Sequence, residues 1–123
     1  MGNPVVHFEI SGADPEKLRE YYARLFGWAF DTGSPVAPSV SDAGNYGFMS
    51  AEDGIPGGIG GGAGFPSHAV FYVGVEDVAA ALQDAERLGG TRVFGPEANP
   101  NGILVVAQFR DPEGNLIGLA GPH

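Results

Sequence analysis

Two stretches of this 123-residue chain are written to one plan. Val5–Ile10 has the apolar pattern of a strand. Asp14–Phe26 has the apolar spacing of a helix and is closed by Gly27-Trp28. The same order returns in Ala69–Val73 and in Glu76–Leu88, closed by Gly89-Gly90. Gly12 to Gly27 and Gly74 to Gly89 have the same spacing. An internal repeat of this kind restricts the fold more than local propensity does. It also names equivalent positions, so a set of ligands can be checked copy against copy.

The helices carry their own stop and start signals. Asp14-Pro15-Glu16 opens the first one well, because Asp caps, Pro is tolerated in the first turn and acids favour the positive helix end. Leu18, Tyr21, Tyr22, Leu25 and Phe26 recur at helical spacing and are expected to form one buried face, with Trp28 following into the core. The second helix places Val78, Ala81, Leu82 and Ala85 on its apolar face. An offset of 62 aligns the glycines of the two copies, and an offset of 63 aligns Asp14 with Asp77. Equivalences between the copies therefore carry an error of about one residue.

Trp28–Asp31, Tyr46–Ala51 and Ile55–Gly60 read as short strands after the first helix. Thr91–Phe94, Leu104–Phe109 and Leu116–Ala120 read as strands after the second. Ser34–Gly44 and Glu97–Gly102 read as loops, and Phe65-Pro66-Ser67 is the candidate linker. Each half, about 1–64 and about 65–123, would alone leave an open sheet edge and a half-covered sheet. One domain made of both is expected, and its length suits that.

Composition removes several function classes. The net charge of −9, with only six Lys and Arg, leaves no basic surface for nucleic-acid phosphate or an anionic membrane. No Cys is present, which removes thiolate catalysis, disulfides and Cys-based zinc sites. No apolar run is long enough to cross a bilayer. No basic and apolar leader precedes the first strand, so a cytoplasmic protein is expected.

His7-Phe-Glu-Ile, Tyr21-Tyr22-Ala-Arg-Leu-Phe-Gly-Trp28 and the late turn Asp111-Pro-Glu-Gly-Asn115, in this order and spacing, resemble the vicinal oxygen chelate superfamily. That group includes glyoxalase I, bleomycin-resistance proteins, fosfomycin-resistance enzymes and extradiol dioxygenases. The chain looks most like the small glyoxalase-like bacterial members. The resemblance covers essentially the whole chain. It implies an α+β fold of two βαβββ modules, forming a curved eight-stranded mixed sheet around a cleft. It also implies a homodimer, as in many single-chain members.

In metal-dependent members, four residues ring a divalent ion, one on the first and one on the last strand of each module. The resemblance puts His7, Gly58, Val70 (or Ala69, one residue earlier) and Gly118 at those places. Only His7 can bind metal, whereas a catalytic zinc site uses three protein ligands. No cofactor is therefore expected, and a divalent metal at His7, helped by Glu9 and His68, is the competing case. Glu9 lies two residues after His7, so both side chains leave one strand face. The plain reading is that they hydrogen-bond each other, because a buried carboxylate needs a partner.

A small, aromatic ligand in the cleft is the expected function, with His7, Glu9, His68, Val70, Tyr72, Gly58 and Gly118 around it. The alternative is a lyase, isomerase or dioxygenase of the family, in which His7 and Glu9 form an acid–base pair. Phe48 and Gln108 lie on strands that line the cleft in the family, with their faces unassigned. Seven glycines within Gly54–Gly64 read as a strand edge and a hinge between the halves, or as room for a bulky ligand. They make no dinucleotide loop, since no helix pattern follows and Pro66 interrupts. Asp111 and Glu113 need no role beyond their turn. His123 is terminal and is set aside.

Overall fold

The computed structural model describes residues 2–122, so His123 lies outside the described residues. The elements run β1 (Val5–Gly12), α1 (Pro15–Phe26), β2 (Gly47–Met49), β3 (Gly57–Gly61), β4 (His68–Gly74), α2 (Val78–Arg87), β5 (Thr91–Ala98), β6 (Leu104–Arg110) and β7 (Leu116–Pro122). The strands form one mixed sheet in the order β2-β3-β1-β4-β7-β6-β5. This is an α+β fold with seven strands among the described residues, not the expected eight. Trp28–Asp31 supplies only an isolated bridge, Asp31 to Phe48, closed by two backbone hydrogen bonds of 2.8 and 2.9 Å. No helix among the described residues is long and apolar enough to cross a membrane.

By packing, the chain divides into two compact units: residues 7–69, and residues 70–122 with 2–6. In the second unit, Asp77 caps α2 by accepting from the Ala80 backbone N–H. The helix lays Val78 and Leu82 on Ala107 of β6 and Leu119 of β7. The fully buried Leu82 is the centre of this core. β6 pairs antiparallel with both β5 and β7, and β7 pairs parallel with β4, setting Tyr72 opposite Gly118. The turn between β6 and β7 is held by Asp111, whose Oδ1 accepts from the backbone N–H groups of Glu113 and Asn115, both at 2.9 Å. The Asn115 side-chain amide, with those backbone donors, holds the Asp111 carboxyl below its usual range. A turn role accounts for this motif.

In the unit of residues 7–69, Asp14 caps α1 and Gly27 closes it in the left-handed region. The apolar stripe of α1 is not the buried face expected of it. Tyr21, Leu25 and Phe26 are 60, 56 and 57% exposed. The helix instead turns Pro15, Leu18, Arg19 and Tyr22 inward: a Cβ at Gly12 would touch Leu18, and one at Gly47 would touch the Arg19 stem. Arg19 takes a core-facing place because its guanidinium donates to the Asn45 carbonyl while its methylenes pack on the strand. Trp28 is half-buried among Phe8, Tyr22 and Phe26, with centroids 5.4, 5.7 and 5.1 Å away.

The glycine-rich stretch is also not an edge. β3 lies between β2 and β1, paired antiparallel to one and parallel to the other, and all five of its residues are buried. Its glycines let rings lie on bare backbone. A Cβ at Gly57 would stand 2.2 Å from the Phe8 ring.

These two helices should respond differently to truncation. Leu82→Ala should cost about 2–5 kcal/mol in urea unfolding, through the cavity it leaves. Tyr21→Ala, on the exposed side of α1, should change stability by no more than about 0.5 kcal/mol.

Candidate functional site

The polar centre of the unit of residues 7–69 is a chain of side chains from β1, the residue just before β2 and the start of β4. His7, Glu9 and Ser11 alternate along β1 and so share a face. Glu9 is 2% exposed. The Tyr46 hydroxyl donates to Glu9 Oε1 at 3.0 Å and lies 2.9 Å from His7 Nε2. Since the phenol proton goes to the carboxylate, His7 Nε2–H is the donor in the second bond. The Tyr46 hydroxyl thus links His7 to Glu9. Burial lowers the His7 pKa below 6.5, and the nearby Glu9 charge offsets this only in part. His68 brings Nε2 to 3.8 Å from Glu9 Oε2, beyond hydrogen-bond reach.

Tyr46 is placed by the segment before it. Ser41 Oγ accepts from the Gly61 N–H at 2.9 Å and donates to the Gly61 carbonyl at 3.2 Å. The Asp42 N–H reaches the same carbonyl at 3.0 Å. With Arg19 on the Asn45 carbonyl, these bonds fix the chain so that the Tyr46 ring lies flat on β3. A Cβ at Gly58 would stand 2.1 Å from that ring, and one at Gly60 would stand 2.5 Å from it. Phe48, whose face the sequence left unassigned, tilts against Tyr46 at 4.7 Å and against His7 at 6.0 Å.

The other unit holds a related arrangement. Tyr72 and Gln108 are both buried, and Gln108 Nε2 donates to the Tyr72 hydroxyl at 2.8 Å. A Cβ at Gly118 would stand 2.4 Å from the Tyr72 ring. Val70 is buried two residues earlier on β4. Glu9 lies opposite Gly58 and Tyr72 opposite Gly118, and the interval from Glu9 to Tyr72 is the same as that between the helix caps Asp14 and Asp77.

The sequence-derived residues therefore fall into two sets. His7, Glu9, His68 and Gly58 belong to one unit, and Val70, Tyr72 and Gly118 to the other. Tyr46 was missed. The available signal was the alternation Gly58-x-Gly60, which clears one face of a strand for a ring, but nothing local says which ring arrives.

The donors do not fit the metal set that the resemblance implies. Gly58 and Gly118, which the resemblance puts at the last-strand ligand positions, are each covered by a tyrosine ring that leaves no room for even a Cβ. Among the described residues, no three His, Cys, Asp or Glu side chains form a group that could hold a metal ion.

A family model for the Glyoxalase/Bleomycin resistance protein/Dioxygenase superfamily matches residues 5–119. The chain belongs to this superfamily. No curated protein matches. Among solved structures, a hypothetical protein from Bacillus halodurans C-125 is similar, with TM-score 0.70 and 14% identity, covering 100% of this chain and 96% of that one. Methylmalonyl-CoA epimerase from Streptomyces coelicolor, in complex with 2-nitronate-propionyl-CoA, is similar at TM-score 0.66 and 16% identity, covering 96% of each chain. The Mycobacterium tuberculosis methylmalonyl-CoA epimerase gives 0.69 and 13%, covering 97% of this chain and 87% of that one. At these identities the likeness is one of fold.

Two measurements test the polar chain. Tyr46→Phe, which removes only the bridging hydroxyl, should destabilise the protein by about 1–3 kcal/mol. The His7 ring proton should titrate by NMR with a midpoint below 6.5. The linked stability is fully present above the unfolded value of 6.5 and is lost as the pH falls through the folded pKa, because the unfolded imidazole takes its proton first. Unfolding free energy should thus fall more steeply on acidification from neutral pH in the wild type than in His7→Gln.

Proposed function

We propose that the chain is a small-molecule-binding member of its superfamily that works without the family's divalent metal. The supporting observation is the pair of ring-on-glycine contacts, Tyr46 on Gly58 and Tyr72 on Gly118. At both last-strand positions a side chain with a bulky apolar ring stands against bare backbone, where a metal enzyme would carry a carboxylate. His7, Glu9 and His68 are the polar anchors. Phe48 and Tyr46 supply the aromatic wall that suits an aromatic ligand, the composition expected of a small-molecule site. A ligand would meet the tyrosine rings rather than Gly58 or Gly118.

The test is calorimetric titration of untagged protein, purified without chelator, with Ni, Zn, Co, Mn and Fe(II), followed by a thermal-shift screen of small aromatic compounds. No heat should appear for any metal. A true ligand at a hundredfold its Kd should stabilise the fold by about 2.7 kcal/mol. Stoichiometric metal binding that disappears in His7→Ala would sink this reading.

The Glu9–Tyr46–His7 chain also favours a second reading, an acid–base isomerase or lyase. A neutral His7 oriented through Tyr46 by a carboxylate is suited to move a proton near neutral pH. Solvent deuterium appearing in a bound carbonyl compound with wild type, and not with His7→Gln, would favour it over binding alone.

A further inference from the structure

We propose that the gap between Glu9 Oε2 and His68 Nε2 seats a hydroxyl group of an uncharged ligand, an alcohol or a phenol. This inference rests on the small-molecule-binding reading and names the chemistry of its polar end.

Two buried polar atoms in the unit of residues 7–69 have no hydrogen-bond partner: His68 Nε2 and Ser11 Oγ. Native interiors leave few such atoms, and strain, a catalytic role, or a bound water, ion or ligand accounts for each. His68 Nε2 faces a carboxylate oxygen 3.8 Å away, so the favourable tautomer carries its proton there. That separation is too long for a direct bond. An oxygen placed about 2.8 Å from both atoms would subtend an angle of about 90°, within what a hydroxyl oxygen accepts. Ser11 follows Glu9 by two on β1 and adds hydrogen-bonding capacity on the same face.

The two sides of the gap select the group. One side donates, from His68, and the other accepts, at Glu9. The guest must therefore accept one hydrogen bond and donate another. A hydroxyl does both. A carboxylate or phosphate has no proton to give Glu9 and is repelled by its charge. An ammonium has no lone pair to offer His68. Phe48, beside His7 and Tyr46, gives the carbon skeleton of such a guest an apolar surface.

The experiment uses the full chain and calorimetric or ligand-observed NMR titration with five probes of one ring size: phenol, benzyl alcohol, toluene, benzoate and phenyl phosphate. Phenol or benzyl alcohol should bind about tenfold tighter than toluene and than either anion, and the better of the two tells phenol from alcohol. Glu9→Gln should narrow the gap between hydroxyl compounds and anions. His68→Leu should weaken hydroxyl binding about tenfold, while His68→Gln, which keeps an N–H donor, should retain most of it. Circular dichroism checks that each variant folds, and the Gln variant keeps the test decisive if the Leu variant does not.

If toluene binds as tightly as phenol, or a folded His68→Leu binds phenol as wild type does, an ordered water fills the gap and the inference is overturned. Anions binding as well as hydroxyl compounds overturn it too. In those cases the small-molecule reading stands. If no probe binds and the wider aromatic screen is also blank, both fall.

Discussion

The organisation of the polar centre depends on one side chain lying on bare backbone. The Tyr46 ring can reach β3 only because Gly58 and Gly60 carry no Cβ, and only there can its hydroxyl meet both Glu9 and His7. A buried carboxylate is costly unless it is hydrogen-bonded, so Glu9 constrains this part of the structure. The phenol offers it a donor, and the same oxygen orders the His7 ring. Glycine weakens a strand on conformational grounds. Here the loss is offset by close ring packing on both faces of β3, with Phe8 on one side and Tyr46 on the other.

The second unit reaches the same solution with different polar partners. Tyr72 lies over Gly118 and its hydroxyl takes the Gln108 amide proton. On β1 the residue opposite a ring-covered glycine is Glu9, so an acid stands opposite Gly58 where a phenol stands opposite Gly118. In one unit the ring comes from the strand itself, and in the other it is delivered by the segment before β2. Two glycines are thus covered by tyrosine rings that reach them by different routes. A metal-ligand reading based on strand positions alone does not see this, because it asks what those positions donate and not what covers them.

Local rules made the frame legible. Asp14 and Asp77 cap as their sequence context suggests, Gly27 closes α1 in the left-handed region, and Asp111 ties its turn as an Asp in that pattern does. These signals act over two to four residues, so sequence carries them in full. The face of α1 was misread because Arg19 looks solvent-facing by type, yet its stem packs inward while its head finds the Asn45 carbonyl. Once Arg19 takes an inner place, the stripe rotates and Tyr21 and Leu25 face outward. Trp28–Asp31 has the residues of a strand but only one bridge to pair with, since the Pro- and Gly-rich segment after it carries the chain away before a ladder forms. Tyr46 was hidden for a related reason. Its position is set by Ser41, Asp42 and Asn45 closing on Gly61, contacts that span up to twenty residues.

On the binding function proposed above, the same geometry limits what the site can recognise. An anionic ligand head would have to enter beside a buried carboxylate in a chain with net charge −9, and the low dielectric around Glu9 makes that repulsion stronger than it would be in water. The similar epimerase structure is a complex with 2-nitronate-propionyl-CoA, but the likeness is one of fold and carries no pocket chemistry with it. What distinguishes one member of such a fold from another is the set of groups around the strand face. Here these are a carboxylate already bonded to a phenol, an imidazole ordered by that phenol, and a second imidazole whose Nε2 has no hydrogen-bond partner. The first two already share the Tyr46 hydroxyl, so on the binding function proposed above the third has the most hydrogen-bonding capacity left for a ligand. On that proposal His68, rather than His7, is the residue whose chemistry should decide which molecules are held.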